Sequence, residues 1–325
     1  MFDDVISIRQ FDRDRIEDTF ALAERYATSK RNHYRQVLKN ANGVLTLFFQ
    51  PSTRTYLTSR WAVKLLGGEL DDGTEAAAYF SSTVKGESLE NTIQTVCQLP
   101  YLGLIFIRHP QAGSAQIAAD IASQYGIHVV NCGDGNREHP TQSLLDLYTI
   151  CRDRAGNIDG VNITFCNDLK DSRTIHSLSL GLARNGYVDK IGICAPENVE
   201  LPPELKTEIE SYGVKIIRYG NMKEAALASD YLYTTRPQIE YKGKLTKAQK
   251  KAIIDSYKPY IIDHDTGLFI AKETKCRLMH PLPIDSINIK EICESAQNLP
   301  NSLLWEAIAN GVYIRMALAT KALIN

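Results

Sequence analysis

Along the whole chain, short apolar runs alternate with longer stretches in which apolar positions recur every three or four residues. Residues 44–49 form a continuous apolar run of strand length, Ser52 follows as an N-cap, and helical spacing from 53 to 66 stops at Gly67-Gly68. The alternation continues with strands predicted over 102–107 and 128–131 and helices over 114–124 and 141–154, and a helix over 90–98 follows a polar loop. At the start, Ile16, Phe20 and Ala23 share one face of a helix predicted over 12–40, which ends at the Asn42-Gly43 turn signal.

Beyond the Gly156 to Gly160 linker the plan repeats. Strands are predicted over 161–166, 190–194, 214–218, 231–234 and 277–279, helices over 173–185 and 203–212, and a closing helix over 302–323. Alternation of this kind implies an α/β protein with parallel sheets flanked by helices, whose ligands sit in loops at the carboxyl ends of strands. At 325 residues the chain exceeds one typical domain of ~100–200 residues, so two domains are expected.

Composition narrows the functional classes. With 44% hydrophobic and 23% charged residues the chain lies far from disordered compositions. The 37 basic residues balance 38 acidic ones, so neither nucleic acid nor an anionic membrane is an expected partner, and anion binding must be local. No apolar run is expected to span a membrane, the first residues lack a signal-peptide pattern, and a cytoplasmic protein is expected. Seven scattered cysteines without a C-x-x-C pair are expected to be reduced thiols, with no metal.

Polar residues that could carry chemistry stand where the predicted strands end. Ser52-Thr53-Arg54-Thr55 puts hydroxyls and a guanidinium on the first turn of a helix leaving a buried strand, where free N–H groups and the helix dipole suit a phosphate. Arg108-His109-Pro110 follows the next strand, and His139-Pro140-Thr141-Gln142 opens a helix, where a neutral His can donate to a developing oxyanion. Ser81 to Ser88, with Lys85, is a polar loop. In the second half, Asp168-Leu169-Lys170 with Arg173-Thr174, and Arg236-Pro237-Gln238, offer two guanidinium groups for a dicarboxylate. His280-Pro281-Leu282-Pro283 ends a strand with rigid backbone and carbonyls free to accept. No pairing of nucleophile and base suggests covalent catalysis, so positioning and electrostatics should carry the reaction.

These motifs occur, in order and over nearly the whole chain, as they do in the aspartate/ornithine carbamoyltransferase family, and the chain resembles its aspartate-type catalytic chains. The resemblance implies transfer of a carbamoyl group from carbamoyl phosphate to L-aspartate, a step of pyrimidine biosynthesis, with no cofactor. It implies a carbamoyl phosphate domain of residues 1–140 plus 303–325 and an acceptor domain of 141–302, bridged by the helix after His139 and by the C-terminal helix. Ser52, Thr53, Arg54 and Thr55 would hold the phosphate and Arg108 would bridge it to the carbonyl oxygen, polarised also by Thr55 and His139. Gln142 and the Pro281 and Leu282 carbonyls would orient the NH2 group. Arg173 would take the α-carboxylate of aspartate, Arg236 and Gln238 the β-carboxylate, and Ser81 and Lys85 would enter from a neighbouring subunit of a homotrimer, to which separate regulatory chains or other pathway enzymes could bind.

The sequence departs from the family's usual pattern at Gln50 (usually Glu), at Tyr56-Leu57-Thr58-Ser59-Arg60 (usually Arg-Leu-Ser-Phe-Glu), at Ile284 (usually Arg) and at Glu306-Ala307-Ile308 (usually Gln-Gln-Ala). Two other readings compete: transfer to a different amino acid, and a catalytically silent homologue acting as a binding subunit. Pro281 where ornithine-type enzymes have Cys, and Arg236, speak against ornithine. Burying several cations without a ligand speaks against a scaffold.

Overall fold

The computed structural model describes residues 4–30, 33–70, 85–238 and 246–324. The chain divides into two compact units, one running to Ile150 and resuming at Ala307, the other Cys151–Glu306. The first contains α1 (Arg13–Thr28), β1 (Gly43–Phe48), α2 (Thr53–Leu65), α3 (Leu89–Val96), β2 (Leu102–His109), α4 (Ser114–Ala122), β3 (His128–Asp134) and most of α5 (Pro140–Asp153). The second contains β4 (Ile163–Cys166), α6 (Arg173–Arg184), β5 (Lys190–Cys194), α7 (Pro203–Ser211), β6 (Lys215–Arg218), α8 (Met222–Leu227), β7 (Tyr231–Thr234), α9 (Lys247–Tyr257), α10 (His264–Glu273), β8 (Arg277–Met279) and α11 (Glu294–Gln297). The last helix, α12 (Leu304–Ile324), begins in the second unit and continues in the first.

In the first unit the strands form a parallel sheet in the order β1-β2-β3. Residues on alternate faces of β2, from Leu104 to Ile107, are all buried, as a doubly covered parallel strand requires. One face packs Leu45, Ile105, Ile107 and Val129 against Ile93 of α3 and Ala115, Ala118 and Ala119 of α4. In register, Phe48 lies beside Arg108 and His109 beside Asp134, so the three strands end together.

The second sheet is also parallel, in the order β6-β5-β4-β7-β8. The order reverses at β4, which places the loops after β4 and β7 side by side where open sheets bind ligands. Gly192 of β5 is required there, because a Cβ would meet the Thr164 hydroxyl at 2.0 Å. Phe165 and Tyr233 cross edge to face, centroids 5.7 Å apart, in the core.

The expected α/β architecture is observed, with differences. The helix predicted over 12–40 is capped by Asp12, which accepts from the Arg15 N–H at 2.9 Å, but ends at Thr28, where Ser29 turns extended. Helices α8, α9, α10 and α11 have no counterpart among the predicted helices: α8 and α11 are short, α9 buries only Tyr257 and α10 only Gly267 and Ile270. The division falls within α5 and α12, after Ile150 and Glu306, rather than at 140 and 302. Contrary to the expectation for apolar runs, α12 is long and apolar enough to cross a membrane, yet most of it is buried inside the protein. All seven cysteines are free thiols.

Phe165→Ala empties the middle of the second sheet and should lower stability by about 3–5 kcal/mol. Equilibrium denaturation measures this, and a shift well under 1 kcal/mol would contradict the packing described.

Candidate active site

In the first unit the three strand ends assemble the predicted residues. After β1 the chain turns through Phe49, whose N–H donates to the Arg108 carbonyl at 2.8 Å, and starts α2 at Thr53. Ser52 takes the N-cap position, yet its hydroxyl caps none of the helix N–H groups, and the first turn holds no acid. A helix start without a side-chain cap or a negative side chain suits an anion. Arg54 on that turn is half-buried, and loss of water lowers its pKa below the ordinary arginine value. The partly dehydrated guanidinium gains most from an anionic partner.

Thr55 is buried, and its Oγ1 lies 3.4 Å from His139 Nε2. Arg108, at the end of β2, is buried and donates from one terminal nitrogen to the Cys132 carbonyl at 3.0 Å, which ties it to the neighbouring strand β3. His139 and Gln142 flank the start of α5, and Gln142 donates from Nε2 to Asp146 Oδ1 at 3.0 Å. Thr55, Arg108, His139 and Gln142 are therefore all buried, while Ser52 is half-buried and Thr53 exposed. His109, the middle of its motif, takes a structural place. It packs edge-on against Phe49 with ring centroids 4.9 Å apart, accepts from the Gln111 N–H, and burial lowers its pKa. Lys85 is exposed, and Ser81 lies outside the described residues.

In the second unit Asp168, fully buried after β4, accepts from the Asp171 N–H at 3.1 Å and the Gln238 N–H at 2.8 Å. Gln238 in turn donates from Nε2 to the Asp171 carbonyl at 2.8 Å, so the loops after β4 and β7 are laced together. Arg173 begins α6 under Ser172, whose hydroxyl again caps no N–H. Arg236 stands near Asp285. Burial pushes the Asp285 carboxyl up, but the Asn288 and Ile287 N–H groups, the Asn288 side chain and Arg236 outweigh it and hold it below its ordinary value.

At the end of β8, His280 Nδ1 accepts from the Leu282 N–H at 2.7 Å, so its Nε2 carries the proton donated to Glu291 Oε1 at 3.0 Å, in a pair with no exposed surface. Glu291 also accepts from the Asp285 N–H. Pro281 and Leu282, the latter at φ 57°, are thus held in a fixed turn.

Asp146, Glu291 and Arg315 behind these residues escaped the sequence reading. Two of the three carried a signal: Asp146 lies four residues after Gln142 beside Leu144, Leu145 and Leu147, and Arg315 interrupts the apolar run of α12; Glu291 carried none.

Comparison with known proteins shows the family of the chain. Residues 3–152 match the family model "Aspartate/ornithine carbamoyltransferase, carbamoyl-P binding domain", and residues 159–321 match its "Asp/Orn binding domain". The chain is similar to aspartate carbamoyltransferase 3, chloroplastic, of Pisum sativum, with 38% identity over 324 residues, 99% of this chain and 78% of that protein. Similarity to the aspartate carbamoyltransferase catalytic subunit of Thermococcus kodakarensis is 38% over 317 residues, 97% of this chain and 95% of the relative. The structure of Trypanosoma cruzi aspartate transcarbamoylase in complex with carbamoyl phosphate and aspartate superposes with a TM-score of 0.85 at 31% identity, covering 99% and 97% of the two chains. The catalytic subunit of M. Jannaschii aspartate transcarbamoylase gives a TM-score of 0.82 at 30% identity, covering 99% and 98%.

If the α2 start is the anion site, Arg54→Ala should weaken binding of inorganic phosphate by about 10- to 100-fold, the worth of a hydrogen bond to a charged group. Calorimetric titration measures it, and unchanged affinity removes Arg54 from the site.

Proposed function

Because the chain belongs to the aspartate/ornithine carbamoyltransferase family, we propose that it transfers the carbamoyl group of carbamoyl phosphate to the α-amine of L-aspartate, releasing N-carbamoyl-L-aspartate and phosphate. The observation that carries this reading is the buried set Thr55, Arg108, His139 and Gln142 beside the acid-free start of α2, which matches both ends of an acyl phosphate. Ser52, Thr53, Arg54 and Thr55 take the phosphate, and Arg108 spans phosphate and carbonyl oxygen. Thr55, Arg108 and His139 stabilise the negative charge that grows on that oxygen as the amine attacks, the largest single contribution such a site can make. Gln142 and the carbonyls of Pro281 and Leu282 accept from the carbamoyl NH2. The carbon–nitrogen bond forms, the carbon–oxygen bond to phosphate breaks, and the departing phosphate takes the amine proton.

For the acceptor, Arg173 holds the α-carboxylate, and Arg236 with Gln238 holds the β-carboxylate. Gln238 keeps one Nε2 proton for this after bonding the Asp171 carbonyl. Lys85 is exposed in the single chain, in keeping with a homotrimer in which it and Ser81 complete a neighbour's site. We read the reaction as a step of pyrimidine biosynthesis carried out in the cytoplasm.

The test is product formation from carbamoyl phosphate with L-aspartate, L-ornithine, L-glutamate and L-2,3-diaminopropionate. N-carbamoyl-L-aspartate should dominate, and turnover with another amine alone would reassign the acceptor. Arg236→Ala should raise the KM for aspartate about tenfold or more, as loss of a charge-assisted pair does, with a smaller effect on carbamoyl phosphate. An unchanged aspartate KM removes Arg236 from the acceptor site.

A further inference from the structure

Behind His139 and Gln142 lie two opposite charges that the reaction as written does not use. Asp146, on α5, is 1% exposed, and Arg315, on α12, is also 1% exposed. Burial lowers the Arg315 pKa, and Cys132 and then the Asp146 carboxylate offset only part of that. Such charges are costly to bury, so their directed contacts matter.

Arg315 donates to its own Gly311 carbonyl at 2.9 Å and to Thr141 Oγ1 at 3.2 Å. A guanidinium only donates, so Thr141 Oγ1 accepts from Arg315, and its own proton has two acceptors in reach, the Cys132 thiol and His139 Nδ1, 3.4 Å away. With the Thr141 proton directed to Nδ1, His139 carries its own on Nε2, the nitrogen that faces Thr55 Oγ1 at 3.4 Å. On the other arm, Asp146 only accepts, with Gln142 Nε2 at 3.0 and 3.2 Å from its two oxygens. That fixes the sense of the Gln142 amide: NH2 toward Asp146, Oε1 away from it.

We infer that Asp146 and Arg315 are positioning residues that set opposite hydrogen-bond polarity at two neighbouring substrate contacts, Gln142 as an acceptor for the carbamoyl NH2 and His139 as a donor to the carbonyl oxygen. The inference rests on the carbamoyl phosphate reading above and deepens it. A carbamoyl group differs from an acetyl group of the same shape only in its NH2, so the Asp146 arm supplies selectivity between the two and the Arg315 arm does not.

The test uses two stable isosteres, phosphonoacetamide, which carries the amide NH2, and acetonylphosphonate, which carries a methyl group there. Calorimetry on the full chain should find the amide bound more tightly. Asp146→Asn should weaken the amide about tenfold and the ketone by no more than about twofold, because the amide sense of Gln142 is no longer enforced. Arg315→Gln should weaken both about equally and lower kcat, since both ligands share the carbonyl oxygen. A merely structural role of Asp146 moves both ligands together, so equal losses in Asp146→Asn overturn the Asp146 arm; Arg315→Lys keeps a cationic donor for Thr141 and should restore kcat relative to Arg315→Gln, and absence of that rescue, or unaltered binding and kcat in Arg315→Gln, overturns the other. Should Asp146→Asn fail to fold, Gln142→Leu must abolish the amide preference, and its survival overturns the proposal. A wild-type chain that binds both isosteres equally also overturns it, even where carbamoyl-aspartate forms. The expected pattern without carbamoyl-aspartate formation upholds the inference and overturns the acceptor instead.

Discussion

A parallel strand covered on both faces has no room for charge along its length, and that constraint decides where chemistry can stand in this chain. In β2 the residues from Leu104 to Ile107 are buried, and the first charge is Arg108 at the strand's end. The same holds for β4, whose four residues are buried before Asn167 and Asp168, and for β7, buried through Thr234 with Arg236 just beyond. Because the strands are parallel, their polar ends gather on one edge of each sheet, next to helix starts that present unused N–H groups. Anion recognition follows from the covering of the sheets before any catalytic residue is specified.

The strand ends are burdened with acids as well, and the acids do a different job from the bases. Asp134 accepts from the Gly113 and Ser114 N–H groups and the Ser114 hydroxyl. Glu138 accepts from the Ser7 hydroxyl, the Ile8 N–H and Arg9, and Asp168 and Glu291 accept from the N–H groups of the loops beside them. Each buried carboxylate is thus neutralised by a loop it holds in shape, which meets the cost of desolvating it. Among the described residues half-buried Arg54 shapes no loop, which is in keeping with the ligand role proposed for it.

The strands and the residues at their ends were legible because both obey strong local rules. An apolar run of strand length can hardly be anything else between turn signals, and an N-cap followed by hydroxyls and Arg announces the α2 start. What was not legible depends on contacts far apart in sequence. Arg315 meets Thr141 across 174 positions, and His280 finds Glu291 only because an intervening turn brings it back. Helices α9 and α10 bury too few residues for periodicity to reveal them, and α1 ends twelve residues early at the extended Ser29, which opens a polar stretch, Ser29 to His33, that contains no Gly or Pro to signal the end. The roles assigned to Arg173 and Arg236 came from family resemblance rather than from spacing, since a strand-end arginine is in itself only a charge.

The departures from the family's usual residues also have a physical reading. Arg60, standing where an acid is usual, donates to the Thr46 hydroxyl at 3.2 Å and lies over the Tyr56 ring at 5.3 Å, and Tyr56 itself replaces the usual Arg. A cation and an aromatic ring have exchanged places with a cation and an acid, and the helix keeps an internal i,i+4 attraction on the same face. Ile284, in place of Arg after Pro-Leu-Pro, packs against the apolar cluster of Ile262, Leu278 and Ile292. Both changes trade a charged contact for one satisfied within its own unit. Tyr56 follows Thr55 on α2, donates its N–H to the Ser52 carbonyl at 2.9 Å and packs edge-on against Phe48 at the end of β1, so that change borders the proposed phosphate site, whereas Ile284 lies in the second unit just past the Pro281-Leu282 turn.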